Sequence, residues 1–162
     1  MNIIFLDIDG VLCTANTDYL YFDLDTIKRL NRLIDITDAN LVITSSWMSD
    51  VTGLEKLKDI FRINGAIHGV NPFAVDAITV PIDKIIGMIP CGVRLKNTNR
   101  ISHNRSDEIK SWLRSNKFKG KYIIIDDEDH DLGDLKDHLV LTDSLIGLSD
   151  LDIDKALLLL GY

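Results

Sequence analysis

Asn2-Ile3-Ile4-Phe5-Leu6-Asp7-Ile8-Asp9-Gly10 holds the key to the architecture. A short unbroken apolar run that stops at an acid reads as a strand buried on both faces, because a half-exposed strand would alternate polar and apolar residues. Leu41-Val42-Ile43, ending at Thr44-Ser45, and Tyr122-Ile123-Ile124-Ile125, ending at Asp126-Asp127, have the same form. Leu139-Val140-Leu141 reads as a fourth strand. Helical spacing fills the intervals. Ile27, Leu30, Leu33 and Ile34 mark a helix from Asp25 to Thr37, and Leu54, Leu57, Ile60 and Phe61 mark another behind the capping-box pair Thr52 and Glu55. Ile109, Trp112 and Leu113 belong to a helix starting around Asn104 to Ser106, and Ile153 to Leu160 forms a closing helix before Gly161. Ile82 to Ile89 reads as a short helix in a region broken by Pro72, Pro81 and Pro90. Buried strands alternating with helices predict an α/β fold: a single Rossmann-like, three-layer domain over residues 1–162 with a mainly parallel sheet.

Composition narrows the class. The 162 residues suit one globular domain, and 27% charged with 46% hydrophobic residues argues against disorder and fibre. Apolar runs are only a few residues long, which predicts no membrane helix. The first residues have no basic region and reach an acid by Asp7, which argues against a conventional secretion signal. Cys13 and Cys91 lie far apart without metal-type spacing, which suits a reducing, cytoplasmic setting. The net charge of −7 argues against nonspecific adhesion to nucleic acid or membrane. Charge is also unevenly spread. No acid falls between Lys84 and Arg105, where Arg94, Lys96 and Arg100 add to the positive charge, whereas eleven of the 25 acids fall between Asp126 and Asp154. The bland reading of the basic stretch is a solvated loop that balances the acidic third. The sharper one is a track for a nucleic-acid backbone, with Tyr19, Tyr21 or Phe22 stacking on a base.

Ligands of open parallel sheets bind outside the carboxyl ends of the strands. Asp7, Asp9 and Gly10, then Thr44 and Ser45, then Asp126 and Asp127 all follow strands and converge there. Each alone is an ordinary cap or turn residue. A calcium loop beginning at Asp7 fails, because Leu12 falls where the sharp-turn glycine belongs. Taken together, like charges at one sheet edge call for a cation, and hard oxygen ligands suit Mg²⁺.

Ile4-Phe5-Leu6-Asp7-Ile8-Asp9-Gly10-Val11-Leu12 resembles the first signature motif of the haloacid dehalogenase (HAD) superfamily. Ile43-Thr44 resembles the second, and Ile123-Ile124-Ile125-Asp126-Asp127 the fourth in its double-aspartate form. Thr44-Ser45-Ser46-Trp47 and the helix Asp107-Glu108-Ile109-Lys110-Ser111-Trp112-Leu113 resemble the phosphatase-type domains of RNA-repair proteins. The resemblance implies a Mg²⁺-dependent phosphatase in which Asp7 is the nucleophile that forms an aspartyl-phosphate and Asp9 the general acid and base. The same resemblance implies that Mg²⁺ would be held by the Asp7 carboxylate, the Asp9 backbone carbonyl and Asp126, with Asp127 orienting its water shell, and that Gly10, Thr44 and Ser45 would meet the phosphoryl group. A basic residue offsets its charge, and Arg105 and Lys110 are the candidates. Arg105 is favoured, because a helix entering a parallel strand has its N-terminus at the sheet's carboxyl edge and Lys110 is roughly 7.5 Å deeper.

Only residues 13–23 between the first two motifs lie outside elements, and the 61 positions from Thr44 to Arg105 leave no room for a large cap. An open site with a minimal cap admits bulky or polymeric substrates, so the expected substrate is a nucleotide or a terminal phosphate of RNA or DNA. The alternatives are small sugar phosphates, a two-metal nuclease, and a non-catalytic module that binds phosphate or a partner. His68, His103, His130 and His138 have no metal-ligand spacing and receive no role.

Overall fold

The computed structural model describes residues 1–16, 22–45, 55, 58, 82–89, 93–94, 101–129 and 131–162. In chain order these contain β1 (Asn2–Leu6), α1 (Leu24–Thr37), β2 (Asn40–Ile43), β3 (Ile85–Met88), β4 (Val93–Arg94), β5 (Ile101–Ser102), α2 (Arg105–Ser115), β6 (Lys121–Asp126), β7 (Leu139–Leu141) and α3 (Asp150–Leu160). Short 3₁₀ turns occupy Ile82–Lys84 and Gly133–His138.

Five strands form one sheet in the order β3-β2-β1-β6-β7, and every pairing in it is parallel. The chain therefore builds outward from β1 through β2 to β3, then returns to the other side of β1 with β6. That reversal makes the gap between the ends of β1 and β6 the topological switch point, where such sheets bind ligands. β4 and β5 form a separate antiparallel pair.

Strand alternation divides the core in two. Ile4 and Leu6 of β1 face a layer with Ile27, Leu30 and Leu33 of α1 and Ile153 and Ala156 of α3. Ile3 and Phe5 face the opposite layer with Ile109 of α2 and Ile124. The Phe5 ring meets Trp112 and Tyr122 edge to face, at centroid distances of 5.5 and 5.7 Å. This pins α2 across β1 and fixes where its N-terminus falls. Both faces are covered, as unbroken apolar strands require.

Three sequence expectations change. Ile82–Ile89 is not a helix: a 3₁₀ turn leads into the edge strand β3. A run this short carries no periodicity that separates the two forms. Gly87 belongs there because a side chain would crowd the Trp112 indole nitrogen at 3.2 Å. The closing helix begins at Asp150 instead of Ile153, because Ser149 and Asp152 form a reciprocal capping box and the polar first turn masks the start. Phe22 is buried in the core, which removes it from any stacking surface. The helix expected around Leu54 to Phe61, the rings of Tyr19 and Tyr21, and Lys96 and Arg100 lie outside the described residues. Among the described residues, no helix is long and apolar enough to cross a membrane.

Candidate active site

The sheet's hydrogen bonding runs past the strand ends and fixes the residues there. Asp7 N–H donates to Ile125 O at 3.0 Å, and Thr44 N–H donates to Leu6 O at 2.9 Å. After Asp7 the chain folds into a tight loop in which Ile8 O accepts from the N–H groups of Val11, Leu12 and Cys13. The Thr142 hydroxyl, just beyond β7, donates to Gly10 O at 2.9 Å and ties the loop to the sheet. Buried Cys13 within the loop has its thiol pushed up to about 12 by burial and by Asp9 and Asp7, so it stays protonated and unreactive.

Asp7, Asp126 and Asp127 come together at this edge, with one oxygen from each lying within 4.8 Å of the others. Asp7 and Asp126 are both buried. Burial, reinforced by Asp126, raises the Asp7 carboxyl to about 7, while Arg105 works against the shift. The Asp126 and Asp127 carboxyls are also raised, chiefly by burial. Burial makes each charged carboxylate costly, and the neighbouring carboxylates add to that cost. Asp9 is half-buried and close enough to act on both Asp7 and Asp127.

Arg105 brings a cation to the cluster. It is the first residue of α2, whose N-cap Asn104 accepts from the N–H groups of Ser106 and Asp107. Its Nη2 lies 3.5 Å from Asp7 Oδ1 and its Nε 3.4 Å from Asp126 Oδ2, so the guanidinium spans the pair. Lys110 is not brought to the cluster; it pairs with Asp134 on the 3₁₀ turn, as its greater depth along α2 requires.

Of the buried side-chain oxygens that make no hydrogen bond among the described residues, Asp7 Oδ1 and Thr44 Oγ1 lie at this edge. Buried polar atoms are nearly always satisfied, so both are positioned for a ligand. A buried carboxylate oxygen that accepts no hydrogen bond, among three clustered carboxylates, fits a hard divalent cation, and all the donors are oxygens. The Asp127 carboxylate belongs to this cluster.

Thr44, Ser45, Arg105 and Asp126 also line a cavity of about 200 Å³. Its wall includes His103, Glu108, Glu128 and Asp131, which carried no role in the sequence reading. Glu108 could have been found, since it lies one helical turn after Arg105 and shares its face. Asp131 has no local signal: its carbonyl accepts from Ser106 N–H, a contact that only the folded loop creates.

A family model described as HAD domain in Swiss Army Knife RNA repair proteins matches residues 3–153. No curated protein and no solved structure matches the chain.

Proposed function

The chain belongs to the family of HAD domains of Swiss Army Knife RNA repair proteins, and from that premise we propose that it is a Mg²⁺-dependent phosphomonoesterase working through an aspartyl-phosphate. The observation that carries this reading is the Asp7 carboxylate, buried at the switch point with one oxygen unsatisfied and Arg105 beside it.

One oxygen of the Asp7 carboxylate attacks phosphorus and displaces the ester oxygen, which leaves with a proton from Asp9. Asp9, now a carboxylate, takes a proton from water, and the hydroxide formed attacks the same phosphorus. The products are inorganic phosphate and regenerated Asp7. Splitting one displacement into two replaces a weak nucleophile with a positioned one. Thr44 Oγ1 donates to a phosphoryl oxygen, and Arg105 offsets the charge gathering between substrate and nucleophile. The carboxylates of Asp7, Asp126 and Asp127, with the Asp9 carbonyl, would hold Mg²⁺. When bound, the ion supplies positive charge to the phosphoryl oxygens and lets the attacking carboxylate stay ionised at neutral pH.

Nucleotides and terminal phosphates of RNA or DNA are the proposed substrates, in keeping with the RNA-repair family. Phosphate release is measured with Mg²⁺ on nucleotides, 3′- and 5′-phosphorylated oligonucleotides and sugar phosphates, using wild type and Asp7→Asn. Release that requires Asp7, with labelled phosphate trapped on the wild-type protein by acid quenching, is the expected result. Release without a trappable phosphoprotein replaces the aspartyl-phosphate with direct attack by water, and internal cleavage of the oligonucleotides turns the assignment toward a nuclease.

A further inference from the structure

Helix α3 ends in four consecutive leucines, Leu157 to Leu160. Successive helical residues turn by roughly 100°, so no single core face can take all four. Ile153, Ala156 and Leu160 are buried against the sheet. On the far side, Leu151 is 80% exposed and Leu158 75%. Asp154 and Lys155 lie between them on the same outward face, both exposed. The helix's other acids are engaged: Asp150 pairs with Arg29 and Arg32 of α1, and Asp152 completes the capping box. Among the described residues neither Asp154 nor Lys155 has an ion-pair partner within the chain.

The order of these residues reads the same from either end. Leu151 and Leu158 are equally far from the midpoint between Asp154 and Lys155. When α3 is laid antiparallel on a second α3 about that midpoint, Leu151 meets Leu158 of the second copy, and Asp154 meets Lys155 of the second copy, each pair occurring twice. A parallel arrangement would set like charges against each other. Self-complementarity of this kind is what a two-fold interface demands. We propose that this face of α3 is a docking surface for a second copy of the chain, joined as an antiparallel helix pair.

Sedimentation of the protein between about 5 and 500 µM, the range expected of an interface at the small end of the size scale, tests this. The mass should climb from 18.2 kDa toward twice that value with rising concentration. Asp154→Lys and Lys155→Asp should each weaken self-association at least tenfold, since each sets like charges together. An equimolar mixture of the two variants should recover a dimer, because the doubled lysines of one then face the doubled aspartates of the other. Both sites are exposed, and unchanged melting curves confirm that folding is retained. A wild type that stays monomeric throughout overturns the proposal, including the case where a different protein covers this face. So do single variants that associate normally, or a mixture that stays monomeric.

Discussion

The Asp127 carboxylate stands where a side chain on residue 10 would have to go. A methyl group built on Gly10 runs into the carboxylate carbon and an oxygen of Asp127, and Gly10 has φ +66°. Glycine at position 10 therefore does two things: it lets the loop turn left-handed and it lets the carboxylate just past β6 reach the one at the end of β1. Gly133 separates the two effects. It also has positive φ, at +55°, but a side chain there meets nothing within 4 Å. Both Gly→Ala changes should lower stability by about 1–2 kcal/mol through backbone strain. Only Gly10→Ala should also weaken Mg²⁺ binding, by at least tenfold in calorimetric titration. Equal metal affinity in the two variants would mean that Asp127 does not need this approach.

Arg105 and Lys110 sit on the same helix and differ in reach. Arg105 spans Asp7 and Asp126, whereas Lys110 is committed to Asp134. Arg105→Ala should lower kcat/KM by about 10²–10³, the usual loss when a transition-state charge partner is removed. Lys110→Ala removes a partly exposed pair and should leave kcat/KM within about threefold, with little change in melting temperature. Steady-state kinetics on the best substrate decides between them, and the reverse ranking would remove Arg105 from its role.

Legibility followed the physics of each signal. β1, β2, β6 and β7 announce themselves because strands buried on both faces are unbroken apolar runs ended by polar residues, and those same ends carry the candidate site. Arg105 could be chosen over Lys110 from helix direction alone. β3 could not be recognised, since Ile85–Met88 is too short to show a period and its strand character comes from pairing with β2. The cavity wall was equally hidden. His103 and Asp131 reach it through the folding of loops, and loops have no repeating pattern from which a contact can be read.

Metal-free protein should lose stability as the pH rises. The Asp7 carboxyl is raised from 3.8 to about 7 by burial, with Asp126 adding to the shift, so the folded state holds this proton more tightly than the unfolded chain does. The stability it contributes is fully present below about pH 4 and is lost as pH climbs through about 7. Asp126 and Asp127 shift in the same direction. Asp7→Asn removes one of the repelling charges. In chelator at pH 7.5 it should melt higher than wild type, by about 2–4 °C for on the order of 1 kcal/mol in a chain of this size. Saturating Mg²⁺ should narrow or reverse that gap, because the ion stabilises the wild type more. A wild type that melts higher than Asp7→Asn in chelator at that pH would show that the carboxylates are compensated within the protein.

Thr44 offers the sharpest separation of folding from function. Its hydroxyl is buried and makes no hydrogen bond among the described residues, so the fold gains nothing from the oxygen and bears its desolvation. Thr44→Val keeps the shape and removes the hydroxyl. It should leave the melting temperature unchanged or raise it slightly, by up to about 1 kcal/mol of stability. If the hydroxyl donates to a phosphoryl oxygen in the transition state, kcat should fall by about 10–10² as one charge-assisted bond is lost. Thr44→Ser, which restores the donor without the methyl group, should recover most of the rate. A valine variant that is less stable yet fully active would place the hydroxyl in the fold and take it out of the reaction.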